Sequence, residues 1–222
     1  EDPSCFCNVE RIQIAADHVA SGAVPLYEID GGGAAADEGE RLARVEGARG
    51  AGQEEILGGR VKTLHPQIFG GILHRRSSEP EAPGSDVPAI DMVVVNLYPF
   101  RETVAALDVT LEDALENIDI GGVSLLRAAA KNFPFVTVVV DPSDYSMVIE
   151  RMSEGGLTIE EKQDLAQKAF QHVAFYDTLI TEWLRGERRT FFPVELTVAL
   201  RKQADMRYGE NPQQQGALYT SF

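Results

Sequence analysis

From Gly58 to Pro66 the chain reads Gly-Gly-Arg-Val-Lys-Thr-Leu-His-Pro, which sets Arg60, Lys62, Thr63 and His65 beside two glycines. Such a cluster suits an anion. Glycine lets backbone approach a ligand closely, Arg forks two donors toward a phosphate or carboxylate, and Lys adds a compact charge that also polarises a carbonyl. The plain alternative is a solvated basic turn, since short motifs match by accident. Three further blocks carry polar residues and glycines at the ends of apolar runs. Asp91 to Phe100 is an apolar run closed by Asn96, Tyr98 and Pro99. Asn117 to Asn132 holds Asp119, Ile120, Gly121 and Gly122 and, farther on, Lys131. Arg207 to Gln214 reads Arg-Tyr-Gly-Glu-Asn-Pro-Gln-Gln.

The elements that must position these residues follow from pattern. Asp91 to Leu97 and Phe135 to Val140 are short continuous apolar runs, the signature of strands buried on both faces of a parallel sheet. Thr110 precedes Glu112 and Asp113 as an N-cap with an acidic first turn. Gly121 and Gly122 open a run of Leu, Arg and Ala with high helix propensity. Residues 143–152 read as a short helix, Glu154-Gly155-Gly156 as a break, and Thr158 onward as a long helix whose stripe is Leu165, Ala169, Val173, Tyr176, Ile180 and Leu184, joined by Trp183. Plain packing accounts for that stripe. Residues 77–88 form an internal loop, and Pro193 begins an extended tail. Alternating strands and helices imply an α/β sheet built from right-handed crossovers.

Taken together, the four blocks resemble the inosine monophosphate (IMP) cyclohydrolase domain. That domain is the N-terminal half of the bifunctional purine biosynthesis enzyme whose other half is a formyltransferase acting on aminoimidazole carboxamide ribonucleotide (AICAR). The resemblance covers about residues 55–220. It implies a methylglyoxal-synthase-like domain over 1–142, a helical extension over 143–192, and a tail over 193–222 corresponding to the start of the formyltransferase half. It also implies closure of the purine ring of formylated AICAR with loss of water, no cofactor or metal, a purine nucleotide substrate and a homodimer.

By motif position Lys62, Tyr98, Asp119 and Lys131 match the family's catalytic residues. Arg60, Thr63, Asn96, Ile120, Gly121 and Gly122 match its base- and ligand-contacting residues, and Gly31 and Gly32 its phosphate-binding turn. Taken singly, each has a structural reading too. Asp119 could cap the Gly121 helix, Lys131 could serve the helix dipole, Tyr98 could pack under Pro99, and His65 could buttress its loop. Lys131 follows Gly122 by nine residues, ~13 Å along a helix axis. It reaches the atoms near the helix start only through its long side chain or a bend.

Composition narrows the class. A net charge of -15 excludes a nucleic-acid binder, which needs a basic face to displace counterions. No apolar run approaches the ~20 residues of a bilayer helix, no secretory signal pattern is read, and a cytoplasmic location is the default. Cys5 and Cys7 read as free thiols.

Two regions depart from the family. Where its first two strands lead into Ser-x-Ser-Asp-Lys and Ser-Thr-Gly-Gly-Thr, this chain has Cys5-Phe-Cys-Asn-Val-Glu10 and Glu28-Ile-Asp-Gly-Gly-Gly-Ala34. Hydroxyl donors and a Lys are replaced by Glu28 and Asp30. A carboxylate 4 Å from a phosphate charge is repelled by ~4 kcal/mol at an effective dielectric of 20. Residues 34–52 also lack the branched run expected of a third strand, and residues 1–55 hold 12 acidic and 4 basic residues, a net of -8.

Three explanations stay open: a paralogue accepting a related purine-like ligand, a catalytically impaired nucleotide-binding or assembly module, and a segment scrambled by a compensated frameshift. The abrupt change near Glu55 favours the last. At the other end, Gln213 stands where the family has His, and formyl transfer is not expected of this chain.

Overall fold

A computed structural model of the chain describes residues 63–76, 89–188, 192–211 and 213–221, with the backbone of 26–29. Its centre is a run of four branched or apolar residues, Met92–Val95 (β2), every one of them buried. Continuous apolarity is what a strand needs when both its faces and both its edges are covered. Both edges are paired in parallel. Leu26–Ile29 (β1) lies opposite Met92 to Val95, and Thr137–Val139 (β3) opposite Met92 to Val94. The sheet order β1-β2-β3 belongs to the expected α/β, methylglyoxal-synthase-like class. Strand β1 comes from the N-terminal part that departs from the resemblance, and it still pairs with β2.

Helices pack where their apolar stripes dictate. Helix α1, Pro66–Leu73, starts with Pro, whose fixed φ suits a first turn, and is capped by His65 Nδ1 accepting from Gln67 N at 3.2 Å. Four residues of chain after β2 comes α2, Phe100–Val104, then α3, Leu111–Glu116. Thr110 and Asp113 close a reciprocal capping box on α3, as the sequence predicts. Helix α4, Gly121–Lys131, buries Gly122, Leu125, Leu126, Ala128, Ala129 and Ala130, and small residues let it approach β2, β3 and α1. Just beyond it the buried Asn132 donates to Ile72 O at 2.7 Å and His74 O at 3.0 Å, satisfying carbonyls at the end of α1.

After β3 a single 3-10 turn, Pro142–Asp144, leads into α5, Tyr145–Ser153, and then α6, Ile159–Arg188. The predicted break between them holds Gly155 and Gly156 at φ 113° and 110°, where a side chain would be strained. Met92, Val94, Val139, Val148 and Leu165 form a buried cluster, with Tyr145, Met147, Met152 and Leu157 packed against it. Lys168 bridges Asp141 and Asp144 at 2.8 Å each. Burial alone would raise the Asp141 carboxyl, but the Lys168 ammonium and the Ser143 N–H outweigh it and hold the group at about 2.

The described residues divide into two compact units. One comprises those up to Tyr98 and those from Asp119 to Phe170; the other comprises Pro99–Ile118 and Gln171 onward. The first unit thus takes in α5 and the first part of α6 together with the sheet. In the second unit Phe100, 1% exposed, meets Tyr176 and Trp183 edge-on at centroid distances of 6.3 and 6.0 Å, and Tyr176 OH donates to Asn117 O at 3.0 Å.

Two sequence readings change. The stripe of α6 is buried through Leu165, Ala169, Val173 and Tyr176 but ends before Leu184, which is 46% exposed. The tail after Pro193 is not merely extended. Arg201–Met206 (β4) and Gly216–Thr220 (β5) pair as an antiparallel hairpin with a register shift between Lys202 and Ala204. Its strands lack clean alternation and interrupt the pairing, which hides a hairpin from a period-two search. The internal loop at 77–88 and the missing strand at 34–52 lie outside the described residues. Among those described, no helix is long and apolar enough to cross a membrane.

Candidate active site

The site is built where β2 ends and α4 begins. A parallel strand directs the residues after its carboxyl end into the crevice that open α/β sheets use for ligands, and here those residues are Asn96, Leu97 and Tyr98. Asp119, two residues before α4, turns its carboxylate back onto this junction. Its Oδ1 accepts from Gly122 N at 2.7 Å, and the Tyr98 backbone N–H is a second donor to the carboxylate. One side chain thus ties the end of the central strand to the first turn of a helix that begins 23 residues after Tyr98.

Burial raises the pKa of Asp119 above the ordinary 3.8, and the Gly122 and Tyr98 N–H bonds oppose that rise without cancelling it. A carboxylate at a surface cap would be lowered by the same bonds. Asp113 shows this, held down by the Thr110 hydroxyl and N–H. Asp119 therefore both caps and pays a desolvation cost, a combination found where a carboxylate is kept for chemistry.

Glycine is needed at both of the next positions because of close approach. A Cβ on Gly122 would stand 2.6 Å from Asp119 Oδ2, and one on Gly121 would stand 2.7 Å from Thr63 Oγ1. Real Cβ atoms do not sit so near an oxygen, so either substitution displaces a polar group of the site. Thr63 is 8% exposed, and its hydroxyl is thereby fixed against the helix start. This single Gly-Gly pair packs Thr63 from one block and Asp119 from another around the same backbone.

Asn96 and Lys131 are placed differently. Asn96 Nδ2 donates to Tyr145 OH at 3.0 Å. Lys131 is exposed at the last residue of α4 and lines a groove of about 690 Å³ floored by Phe69, Leu73, Phe133 and Phe170. Arg127, one turn earlier on the same rim, stacks over the Phe170 ring at 5.5 Å. Ile120, the N-cap residue of α4, is 59% exposed. Among the predicted residues the structure brings Thr63, Tyr98, Asp119, Gly121 and Gly122 into direct contact. It does not bring Lys131 into that set of contacts. Arg60, Lys62, Gly31 and Gly32 lie outside the described residues.

Sequence reasoning missed Tyr145. The signal was there in Asp141-Pro142-Ser143-Asp144-Tyr145 after a buried strand, since that is where a second strand delivers side chains to the same sheet edge. No group of three or more His, Cys, Asp or Glu that could hold a metal occurs among the described residues.

Comparison with known proteins bears on the same residues. The sequence model of the AICARFT/IMPCHase bienzyme family matches residues 129–222. The chain is 51% identical over 172 residues to the bifunctional purine biosynthesis protein PurH of Thermoanaerobacter sp. (strain X514), covering 76% of this chain and 34% of that protein. With PurH of Listeria monocytogenes serotype 4b (strain CLIP80459) it shares 51% over 170 residues, 75% of this chain and 33% of that one. The chain spans about a third of the length of these curated relatives. Among solved structures it is similar to the one described as the crystal structure of ForH, with a TM-score of 0.59 and 30% identity over 79% of this chain and 92% of that one.

Proposed function

The chain belongs to the AICARFT/IMPCHase family, an enzyme family of purine biosynthesis, and from that premise we propose that it is an IMP cyclohydrolase. The observation that carries the reading is Asp119: a half-buried carboxylate with a raised pKa, fixed by two backbone N–H groups beside a glycine-lined helix start.

The reaction joins the carboxamide nitrogen of formylated AICAR to its formyl carbon. The attacking nitrogen loses one proton and the formamide nitrogen the other, while the formyl oxygen gains negative charge, takes up both protons and leaves as water. No electrons are exchanged with another molecule. Most of the acceleration comes from holding two ends of one molecule in a near-attack pose and from stabilising that oxygen.

In this proposal Asp119 accepts a proton from the attacking amide, Tyr98 assists proton transfer, and Lys62 and Lys131 stabilise the developing oxyanion. Arg60, Thr63, Asn96, Ile120, Gly121 and Gly122 bind the purine-like ring and its substituents, with Gly31 and Gly32 at the phosphate turn. Lys131 enters this set only through the reach of its long side chain, since it stands at the end of α4 opposite Asp119. The reading brings with it a cytoplasmic location and a homodimer, the latter checked by sedimentation of the pure chain.

A spectrophotometric assay of formylated AICAR with pure protein tests it directly. Turnover supports the cyclohydrolase. Tight binding of inosine monophosphate without turnover instead supports a nucleotide-binding or assembly module. That second reading is favoured by Glu28, an acidic residue one position from the carboxyl end of β1, where a phosphate would be repelled.

A further inference from the structure

We propose that Tyr145 is a positioning residue of the active site, whose hydroxyl sets the orientation of the Asn96 carboxamide so that its oxygen, not its nitrogen, meets the ligand. The inference rests on the cyclohydrolase reading for the identity of that ligand, but not for the tether itself.

Asn96 is the first residue past β2, and Tyr145 follows β3 after a five-residue connection. Adjacent parallel strands thus deliver both to the same edge of the sheet. The Tyr145 ring is held by packing against the cluster of Met92, Val94, Val139, Val148 and Leu165, so its hydroxyl is a fixed point. Asn96 Nδ2 lies 3.0 Å from it.

An Asn carboxamide has a broad two-fold torsion, and its two ends differ chemically: one donates, the other accepts. Committing Nδ2 to Tyr145 leaves Oδ1 as the end that can face the crevice. An acceptor there selects a ligand that presents an N–H. The carboxamide of formylated AICAR does so, and so does the ring N–H of the closed product. By accepting one carboxamide N–H, Oδ1 would orient the nitrogen that attacks the formyl carbon.

Tyr145→Phe keeps the ring in the cluster and removes only the hydroxyl. The expected result is a roughly three- to tenfold fall in kcat/KM for ring closure, the worth of one neutral hydrogen bond, with little change in melting temperature. Selectivity should fall as well. Wild type should bind inosine monophosphate more tightly than its N1-methyl derivative, and Tyr145→Phe should narrow that ratio. In an Asn96→Ala background Tyr145→Phe should have no further effect on either readout.

An unchanged ratio in Tyr145→Phe, or additive losses in the double variant, would overturn the proposal. The tether has its own readout in the Asn96 side-chain amide signals by nitrogen-15 NMR. They should show a contact to the Tyr145 ring in wild type and shift in Tyr145→Phe; signals unmoved by the substitution also overturn it. Wild type that neither binds nor turns over these nucleotides contradicts the cyclohydrolase reading and the ligand part of this proposal, while the NMR result still decides the tether.

Discussion

The two ends of α4 differ in kind. At its start, glycines leave no side chain of their own, so that Asp119 reaches the Gly122 N–H and Thr63 lies close against Gly121. At its finish, Arg127 and Lys131 stand on the rim of a wide apolar groove with Phe69, Leu73, Phe133 and Phe170 beneath. One end is polar and partly buried; the other is open and aromatic. Small residues therefore do more here than fit the helix to the sheet: they concentrate partly buried polar groups at one end, where a carboxylate changes its proton affinity. Charge at the open end sits on Arg127, stacked over the Phe170 ring, and on the exposed Lys131.

The largest expected effects come from breaking the narrow end. Asp119→Asn keeps the shape of the side chain and removes its basicity, and ring closure should fall by about 10²- to 10⁴-fold, the range for a positioned general base. Gly122→Ala should approach that loss, because the new methyl group meets Asp119 Oδ2 and drives the carboxylate off both N–H partners. A crystal structure or melting curve showing Asp119 undisturbed in the alanine variant would contradict the steric account. Lys131→Met, at the far end, should cost less than Asp119→Asn under the same assay. A larger loss would mean that the open end contributes more to the reaction than its contacts indicate.

The pH dependence sharpens the contrast. Asp119 has a folded pKa above its unfolded value of 3.8, so folding disfavours its ionised form. Its contribution to stability is fully present below the unfolded value and is lost as pH rises through the folded one. Asp119→Asn, which cannot ionise, should gain stability relative to wild type on going from acid to neutral pH. Asp141 has the opposite sign. Its pKa is depressed to about 2, so its stabilisation is present above 3.8 and is lost as pH falls toward 2. Urea unfolding of Lys168→Met and wild type should therefore differ at pH 5 and converge near pH 2. The difference should be small, since both side chains are partly exposed.

Much of this was legible in the residues because local chemistry and tertiary need agree. The run from Met92 to Val95, the Thr110–Asp113 box and the Gly155–Gly156 break carry their structure in their own composition. Asp119 was readable as a cap before a helix, and it is one. Its second bond, to the backbone of Tyr98, depends on where β2 ends relative to α4, which no local pattern encodes. The tether from Asn96 to Tyr145 was missed for the same reason: it joins residues 49 apart across two strands. The placement of Lys131 was partly legible, since nine residues of helix already separate it from Gly122. The β4–β5 hairpin was not, because its exposed strands have no buried face to impose alternation.

The account turns on the Asp119 carboxylate, and the most direct measurement is the rate of ring closure of formylated AICAR by pure wild-type chain and by Asp119→Asn at neutral pH, with both shown to be folded. It predicts measurable turnover by wild type and a loss of at least about 10²-fold in the variant. Equal rates would contradict it.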